Sequence, residues 1–497
     1  MYKDIFTKIL KSPVYNLIKE TPLNKGNILS KKTNNNIYFK REDLHSVFSF
    51  KIRGAYNKII NNKTTCKERG VIACSAGNHA QGVALSCKIL NINCKIIMPI
   101  ITPNIKINAV QRLGINPILI GDNYDESYIA AKNIAKKENR LLIHPYDDID
   151  VIAGQGTIAK ELITQHANLD AIFIPIGGGG LISGISVYIK NLYPEIKIIG
   201  VETSDSCSMK TSINNNIITR LEDINTFADG TSVKQVGEIT FDITKNLVDD
   251  IILVSNDEVC QSIEDFYMDT RIIAEPSGVL SIAGCKKYIE KTQCVNKEFA
   301  TIISGANMDF KKLRFISNRS DAKEMFMAIS IPEKKGSFKS LYNCIYPHNI
   351  TEFSYRFSGE NRANIYISFY YNKSKDKILQ KLNNKGYDYK DLSNNTMAKD
   401  HGRYIIGGKS SFQKKELLYR FQFPEKPGEL KKFLENLSEC WNISLFHYRN
   451  QGDYMGRVLV GIQISETNDY ELNKFLKNLG YKYYNETEND IYTYFLK

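Results

Sequence analysis

Four short stretches of this chain hold residue types that could do chemistry. Ser49-Phe50-Lys51-Ile52-Arg53-Gly54-Ala55 sets a lysine between Phe50 and Ile52, where a helical pattern with Ala55, Ile59 and Ile60 begins. A lysine in apolar surroundings holds its proton less tightly and becomes a nucleophile toward carbonyl carbon. Most lysines are solvated surface charges, so Lys51 alone decides nothing. Ser75-Ala76-Gly77-Asn78-His79 joins the end of an apolar run to the start of a helical one. Free backbone N–H groups and the helix dipole make an anion site there that suits a substrate carboxylate, although a plain strand-to-helix turn reads the same way. Gly177-Gly178-Gly179-Gly180-Leu181 follows a run ending at Ile176. Consecutive glycines let the backbone curl until successive amides face one phosphate, the alternative being a merely flexible turn. Ser304-Gly305-Ala306-Asn307 places a hydroxyl after the apolar Phe299-Ala300-Thr301-Ile302-Ile303, a weak signal by itself.

A scaffold has to bring these stretches together. Residues 70–205 alternate between short apolar runs and helical periodicity. Strands are expected at 70–74, 95–99, 117–121, 141–143, 171–176 and 197–202. Ala80, Val83, Ala84 and Cys87 make one helix face, with further helices at 125–137 and 156–166. Alternation of this kind means an α/β fold with a parallel sheet covered on both faces. Ligands in such sheets sit at the carboxyl ends of strands, where the polar and glycine clusters fall.

Past residue 320 the texture changes and a repeat appears. Ile331-Pro332-Glu333-Lys334-Lys335-Gly336 matches Phe423-Pro424-Glu425-Lys426-Pro427-Gly428. Phe353-Ser354-Tyr355-Arg356 matches Phe446-His447-Tyr448-Arg449, and the segment 382–387 matches 476–481. Collinear matches indicate a duplicated α+β module, each copy reading strand, glycine turn, helix, strand, strand, helix. The domain division expected is 1–320, 328–400 and 418–490.

The 497 residues exceed what one core supports, and 42% hydrophobic with 24% charged residues is an ordinary globular balance. The net charge of +12 is spread among scattered lysines, without a dense arginine patch or zinc-finger spacing, so a nucleic-acid partner is not expected. The 10 cysteines include no Cys-x-x-Cys pair, so no metal site is expected either, and unpatterned thiols suit a reducing compartment. Met1 to Lys11 lacks the apolar stretch of an export signal, and no run is long enough to cross a membrane. These readings together favour a cytoplasmic protein.

Taken in order, Arg41-Glu42-Asp43, Ser49-Phe50-Lys51, Ser75 to Gly82, Gly177 to Leu181, Ala274-Glu275-Pro276-Ser277-Gly278 and Ser304 to Asn307 resemble the fold-type II pyridoxal-phosphate enzymes. With the duplicated tail, the whole chain resembles the biosynthetic threonine dehydratase family. The resemblance implies a two-lobed, parallel-sheet catalytic domain followed by two ACT-like regulatory modules. It implies pyridoxal 5'-phosphate as cofactor, held by Lys51 as a Schiff base. The backbone of Gly177, Gly178, Gly179, Gly180 and Leu181 would cradle its phosphate, Asn78 would meet the ring hydroxyl, and Ser304 would face the ring nitrogen. Ser75, Ala76, Gly77 and His79 would grip the carboxylate of L-threonine. Isoleucine and valine would act as effectors, with Tyr355, Arg356, Tyr448 and Arg449 as pocket candidates beside Phe353, Phe446 and His447. A homotetramer would be the working assembly.

The sequence departs from the family where Asp229 stands in Phe227-Ala228-Asp229-Gly230, a place that commonly has Glu, and Val47-Phe48 before Ser49 is also less typical. Competing readings are a serine dehydratase or racemase of the same fold, an NAD-dependent dehydrogenase with Glu202 as the ribose-binding acid, and a non-catalytic amino-acid sensor. For the dehydrogenase, Gly-x-Gly-x-x-Gly is not met, since Ile182 and then Gly184 follow the glycine run. For the sensor, the intact Lys51 speaks against it.

Overall fold

The apolar runs of the first half form two parallel sheets rather than one in the computed structural model. Val71–Cys74 lies between Cys94–Met98 and Leu141–Leu142, with Ile118–Leu119 outermost, all parallel. Ala171–Pro175, Lys197–Thr203, Asp250–Val254, Glu298–Ile303 and Asn36–Arg41 make a second parallel sheet, to which Leu23–Lys25 adds an antiparallel edge. Periodicity alone could not divide 70–205 between these sheets, because strands of both are equally apolar. Each sheet buries both faces, as the alternation along a strand shows. Ile172 and Ile174 join one core cluster, Ala171 and Phe173 the other. In the smaller sheet Val71 and Ala73 face one way, Ile72 and Cys74 the other.

The structure describes residues 1–317, 319, 324–332, 337–346, 348, 350–355, 362–371, 375–402, 415–424, 432–433, 436–437, 441–449, 455–464 and 469–495. The chain divides into two units, Met1–Ile316 and Ser317–Lys497.

Helices of the first unit cross where side chains are missing. A Cβ on Gly154 would stand 2.6 Å from the Arg53 carbonyl oxygen, and one on Gly184 would stand 2.4 Å from that of Ile152. These contacts draw Lys51–Asn61, Ile149–Gln165 and Gly180–Leu192 into close packing. A Cβ on Gly82, in Asn78–Leu90, would lie 3.1 Å from the carbonyl carbon and oxygen of Lys51.

Two residues beyond Lys51, the Arg53 side chain is fully buried. It donates to Glu42 at 2.6 and 2.9 Å and to Glu161 at 2.6 and 2.9 Å. Lys40 pairs with Glu161 at 2.7 Å and His45 with Glu42 at 2.9 Å. Burial works against charge on Arg53, but the two carboxylates outweigh it and raise its proton affinity, while Arg53 and His45 hold the Glu42 carboxyl well below its usual range despite burial. A buried charge cluster persists only if its members are paired in this way.

The second unit holds two four-stranded antiparallel sheets. The first has Glu324–Pro332 between Arg362–Tyr370 and Asp388–Asp391, with Ile350–Tyr355 at the edge. The second repeats this order with Lys415–Pro424, Met455–Ile464, Lys482–Asn485 and Asn442–Arg449. Even the register irregularity recurs, at Ile350/Glu352 and at Ile443/Leu445. The sequence pattern omitted the fourth strand of each copy. Asp388–Asp391 is charged and Lys482–Asn485 wholly exposed, so neither edge strand shows apolar alternation. The modules share a core in which Phe326, Tyr366 and Leu392 of one meet Leu418, Leu459 and Ile491 of the other.

Candidate active site

Lys51 opens its helix directly after Phe50, and its Nζ donates to the Pro145 carbonyl at 3.1 Å and lies 5.1 Å from the Phe50 ring centroid. Burial pushes its pKa down to about 8, with Glu275 opposing that drift. The amine faces a cleft that Phe50, Asn78, Tyr146, Gly177 to Leu181, Thr231, Glu275 and Ser304 help to line.

Gly177 to Gly179 turn the chain from the strand Ala171–Pro175 into the helix Gly180–Leu192. Gly179 has φ +96°, in the left-handed region, and a Cβ on Gly178 would meet the Tyr146 ring at 2.3 Å. Glycine is therefore required at 179 by conformation and at 178 by space; the positive φ falls at 179 rather than 178. The backbone at the start of this helix lines the cleft, and free amides at such a helix start suit an anion.

Asn78, at the first turn of Asn78–Leu90, donates to Glu275 Oε1 at 2.6 Å, and its own Oδ1 accepts from Asn307 Nδ2 at 2.7 Å. Fixing Oδ1 this way leaves its second N–H for a ligand in the cleft. Glu275 is buried, and desolvation followed by the nearby Asp229 charge raises its carboxyl to about 7. Ser304, closing the strand Glu298–Ile303, donates to the Ser277 carbonyl at 3.2 Å.

Ser75, Ala76 and Gly77 form the half-buried turn before Asn78, with the Gly77 N–H donating to Ser75 Oγ at 3.2 Å. They stand beside the cleft wall rather than among its lining residues. The His79 ring is turned into the core, with Nε2 3.0 Å from the Ile143 carbonyl. Burial lowers its pKa to about 3, so the ring is neutral, donates from Nε2, and offers only its backbone to a ligand in the cleft. Glu202 is 1% exposed and accepts from the Met209 and Lys210 amides at 2.9 Å each. Its carboxylate caps the helix Ser208–Asn215 and does not project as a ribose ligand, which corrects the dehydrogenase reading. In the tail, Phe353 and Tyr355 lie on one edge strand and Phe446, His447, Tyr448 and Arg449 on its counterpart, while Arg356 lies outside the described residues.

Sequence reasoning missed Tyr146, Thr231 and the role of Glu275. The Tyr146 signal was an aromatic just beyond the strand Leu141–Leu142, at the carboxyl edge where ligands bind.

The donor set fits pyridoxal phosphate. A desolvated lysine, a backbone anion cradle that side chains would fill, a free amide N–H and a neutral hydroxyl converge on one cleft.

Residues 14–305 match the family described as "Pyridoxal-phosphate dependent enzyme", and residues 317–401 and 407–496 match the "C-terminal regulatory domain of Threonine dehydratase". The mitochondrial threonine dehydratase of Schizosaccharomyces pombe is 47% identical over 99% of this chain and 84% of its own length. The biosynthetic L-threonine dehydratase of Escherichia coli is 42% identical over 98% of this chain and 96% of its own. Among solved structures, the processed form of threonine deaminase isoform 2 from Solanum lycopersicum superposes with TM-score 0.63 at 44% identity, covering 64% of this chain and 93% of that one. Maize serine racemase superposes at 0.59 with 29% identity, covering 63% and 95%. With a catalytic family match around its lysine cleft, a regulatory match over its tail and relatives aligned along nearly its whole length, the chain belongs to the pyridoxal-phosphate-dependent threonine dehydratase family.

Proposed function

We propose that this chain deaminates L-threonine to 2-oxobutanoate and ammonia by β-elimination of water, opening isoleucine synthesis under feedback control by isoleucine. The observation that carries the reading is the placement of the Lys51 amine in the same cleft as the glycine cradle and the Ser304 hydroxyl. When bound, pyridoxal phosphate supplies the electron sink that makes an amino acid's α-proton removable. The division of the chain is 1–320 for catalysis with modules 328–400 and 418–490 for control, in keeping with the two units and the two repeated sheets.

Lys51 is assigned to hold the cofactor and then to move the proton at the substrate α-carbon, since a desolvated amine is neutral often enough to act as base. Gly177 to Gly180 and Leu181 are assigned to the phosphate through their amides, and Asn78 to the ring hydroxyl. Ser304 is assigned to the ring nitrogen. A neutral hydroxyl there would hydrogen-bond the nitrogen without the negative charge by which a carboxylate would hold it protonated, so the bound cofactor would be a milder electron sink. Ser75, Ala76, Gly77 and the His79 backbone would take the substrate carboxylate, leaving the α-carbon toward Lys51. Loss of water leaves an enamine that hydrolyses to the keto acid and ammonia.

No described helix is long and apolar enough to cross a membrane, and the described cysteines are free thiols. Both support a cytoplasmic setting. The homotetramer rests on family likeness and is checked by light scattering.

The test measures keto-acid release from threonine and from serine, each with and without isoleucine and valine. Threonine turnover that isoleucine depresses and valine restores supports the reading. Racemised amino acid without keto acid, or a clear preference for serine, overturns it.

A further inference from the structure

Asp229 is where three elements of the first unit meet. Lys106, from the helix Asn104–Gln111 beside the smaller sheet, forms a hydrogen-bonded ion pair with its carboxylate. Lys312, opening the helix Lys312–Ser317, lies 3.8 Å away and donates to the Phe227 carbonyl at 3.1 Å. On the same helix the Phe315 ring lies tilted against the Phe227 ring, with centroids 5.0 Å apart.

The loop so held is a wall of the cleft. Gly230 and Thr231 line it, and Thr231 Oγ1 is 3.2 Å from Ser277 Oγ. A Cβ on Gly177 would stand 3.0 Å from the Thr231 Cα, so the loop also abuts the phosphate cradle. Charge reaches further still. Asp229 raises the proton affinity of Glu275, while Lys106 and Lys312 lower it. None of the catalytic assignments uses this cluster.

We propose that Asp229 is a positioning residue for threonine deamination, tying the two lobes together across the cleft through Lys106, and that Lys312 lets the regulatory tail act on this tie. The second half rests on the regulatory reading of the tail. Lys312 begins the last helix of the catalytic unit, and that helix ends at Ser317, the first residue of the other unit. The loop is therefore gripped by the last helix that precedes the second unit in the chain. An effector that favours one tail state then acts through the energy difference between two settings of the loop.

The experiment uses the full chain loaded with cofactor and four variants: Lys106→Met, Asp229→Asn, Asp229→Glu and Lys312→Met. Each is measured for threonine KM and kcat, for cofactor dissociation, for thermal unfolding and for amide exchange over 227–231. Lys106→Met and Asp229→Asn should raise KM about threefold or more with a smaller change in kcat, and speed exchange over 227–231. Asp229→Glu should restore KM, because it returns the carboxylate. Wild-type KM in both loss variants, or KM and kcat falling together with melting temperature and without rescue by Glu, overturns the positioning role.

For Lys312→Met, isoleucine binding is followed by calorimetry beside inhibition. Retained binding with the isoleucine-dependent shift in threonine saturation reduced about fivefold supports the coupling route. Binding and shift both at wild-type strength overturn it. If wild-type protein neither binds isoleucine nor responds to it, the regulatory reading itself fails, and the Lys106 and Asp229 variants still decide the positioning role.

Discussion

The Asn78 amide donates to Glu275 Oε1 at 2.6 Å, linking the first turn of a helix beside the smaller sheet to a turn above the larger one. Burial keeps the Glu275 carboxyl protonated up to about pH 7, against 4.5 for an ordinary glutamate. Between those values the folded chain holds a proton that the unfolded chain releases. This group's contribution to stability is therefore full below about 4.5 and is lost as pH rises toward 7. Glu275→Gln should flatten that part of the cofactor-free protein's melting-temperature profile relative to wild type. Parallel profiles for the two proteins over pH 4.5–7 would refute the assignment.

Lys51 gives a second pH signature. With its pKa near 8, about a tenth of the amine is neutral at pH 7, roughly three hundred times the fraction for a free lysine. Cofactor capture by the cofactor-free protein should accelerate as pH rises and level off above about 8, and Lys51→Ala should abolish it. Stopped-flow absorbance gives the midpoint; a value near 10 means the amine is not desolvated. Borohydride fixation and peptide mapping should place the label on Lys51.

Substitution in the glycine cradle tests space at Gly178 and conformation together with space at Gly179. At Gly178 a valine would drive into the Tyr146 ring, and cofactor binding should weaken by at least about 1.4 kcal/mol, a tenfold loss. At Gly179 an alanine would face the left-handed strain, about 1–2 kcal/mol, and its Cβ would also stand 2.7 Å from Thr240 Cβ. Gly178→Val paired with Tyr146→Ala should recover part of the affinity, and no recovery in a folded double variant would mean the crowding lies elsewhere. Cofactor titration reads both.

The buried pairing around Arg53 should be brittle. Glu161→Gln removes one carboxylate from both Arg53 and Lys40 and should destabilise the folded chain by about 3–5 kcal/mol. Chemical denaturation of the cofactor-free chain checks it, and a loss under about 1 kcal/mol would mean that water or a neighbour replaces the charge.

In the tail, the repeat-equivalent Tyr355 and Tyr448, with Arg356 and Arg449, are the effector-pocket candidates. Tyr355→Ala and Tyr448→Ala should each weaken isoleucine inhibition by about fivefold or more while threonine turnover without isoleucine persists. Inhibition curves that overlay wild type in both variants would remove these residues from consideration.

What the sequence disclosed follows from locality. Lys51, the run Gly177 to Leu181 and Ser304 sit at junctions that periodicity marks, and such junctions gather at the carboxyl edge of a parallel sheet. Contacts between distant segments left no such mark. Tyr146 against Gly178, and Lys106 against Asp229, join residues whose own neighbourhoods read as ordinary loop and helix. His79 shows the converse case. Its motif is local and legible, but whether the ring faces ligand or core depends on the Ile143 carbonyl of another strand end.

The missing side chain at Gly82 has an evolutionary corollary. It is what lets the backbone at Lys51 lie 3.1 Å from the position a Cβ would take. A drift from glycine to alanine there scores as minor on any substitution scale and removes no functional group. It would nonetheless nudge the base of the reactive lysine by tenths of an ångström and dull the rate while leaving the fold standing. The rate of a reaction carried by Lys51 would then depend on a position that contributes no atoms to the chemistry.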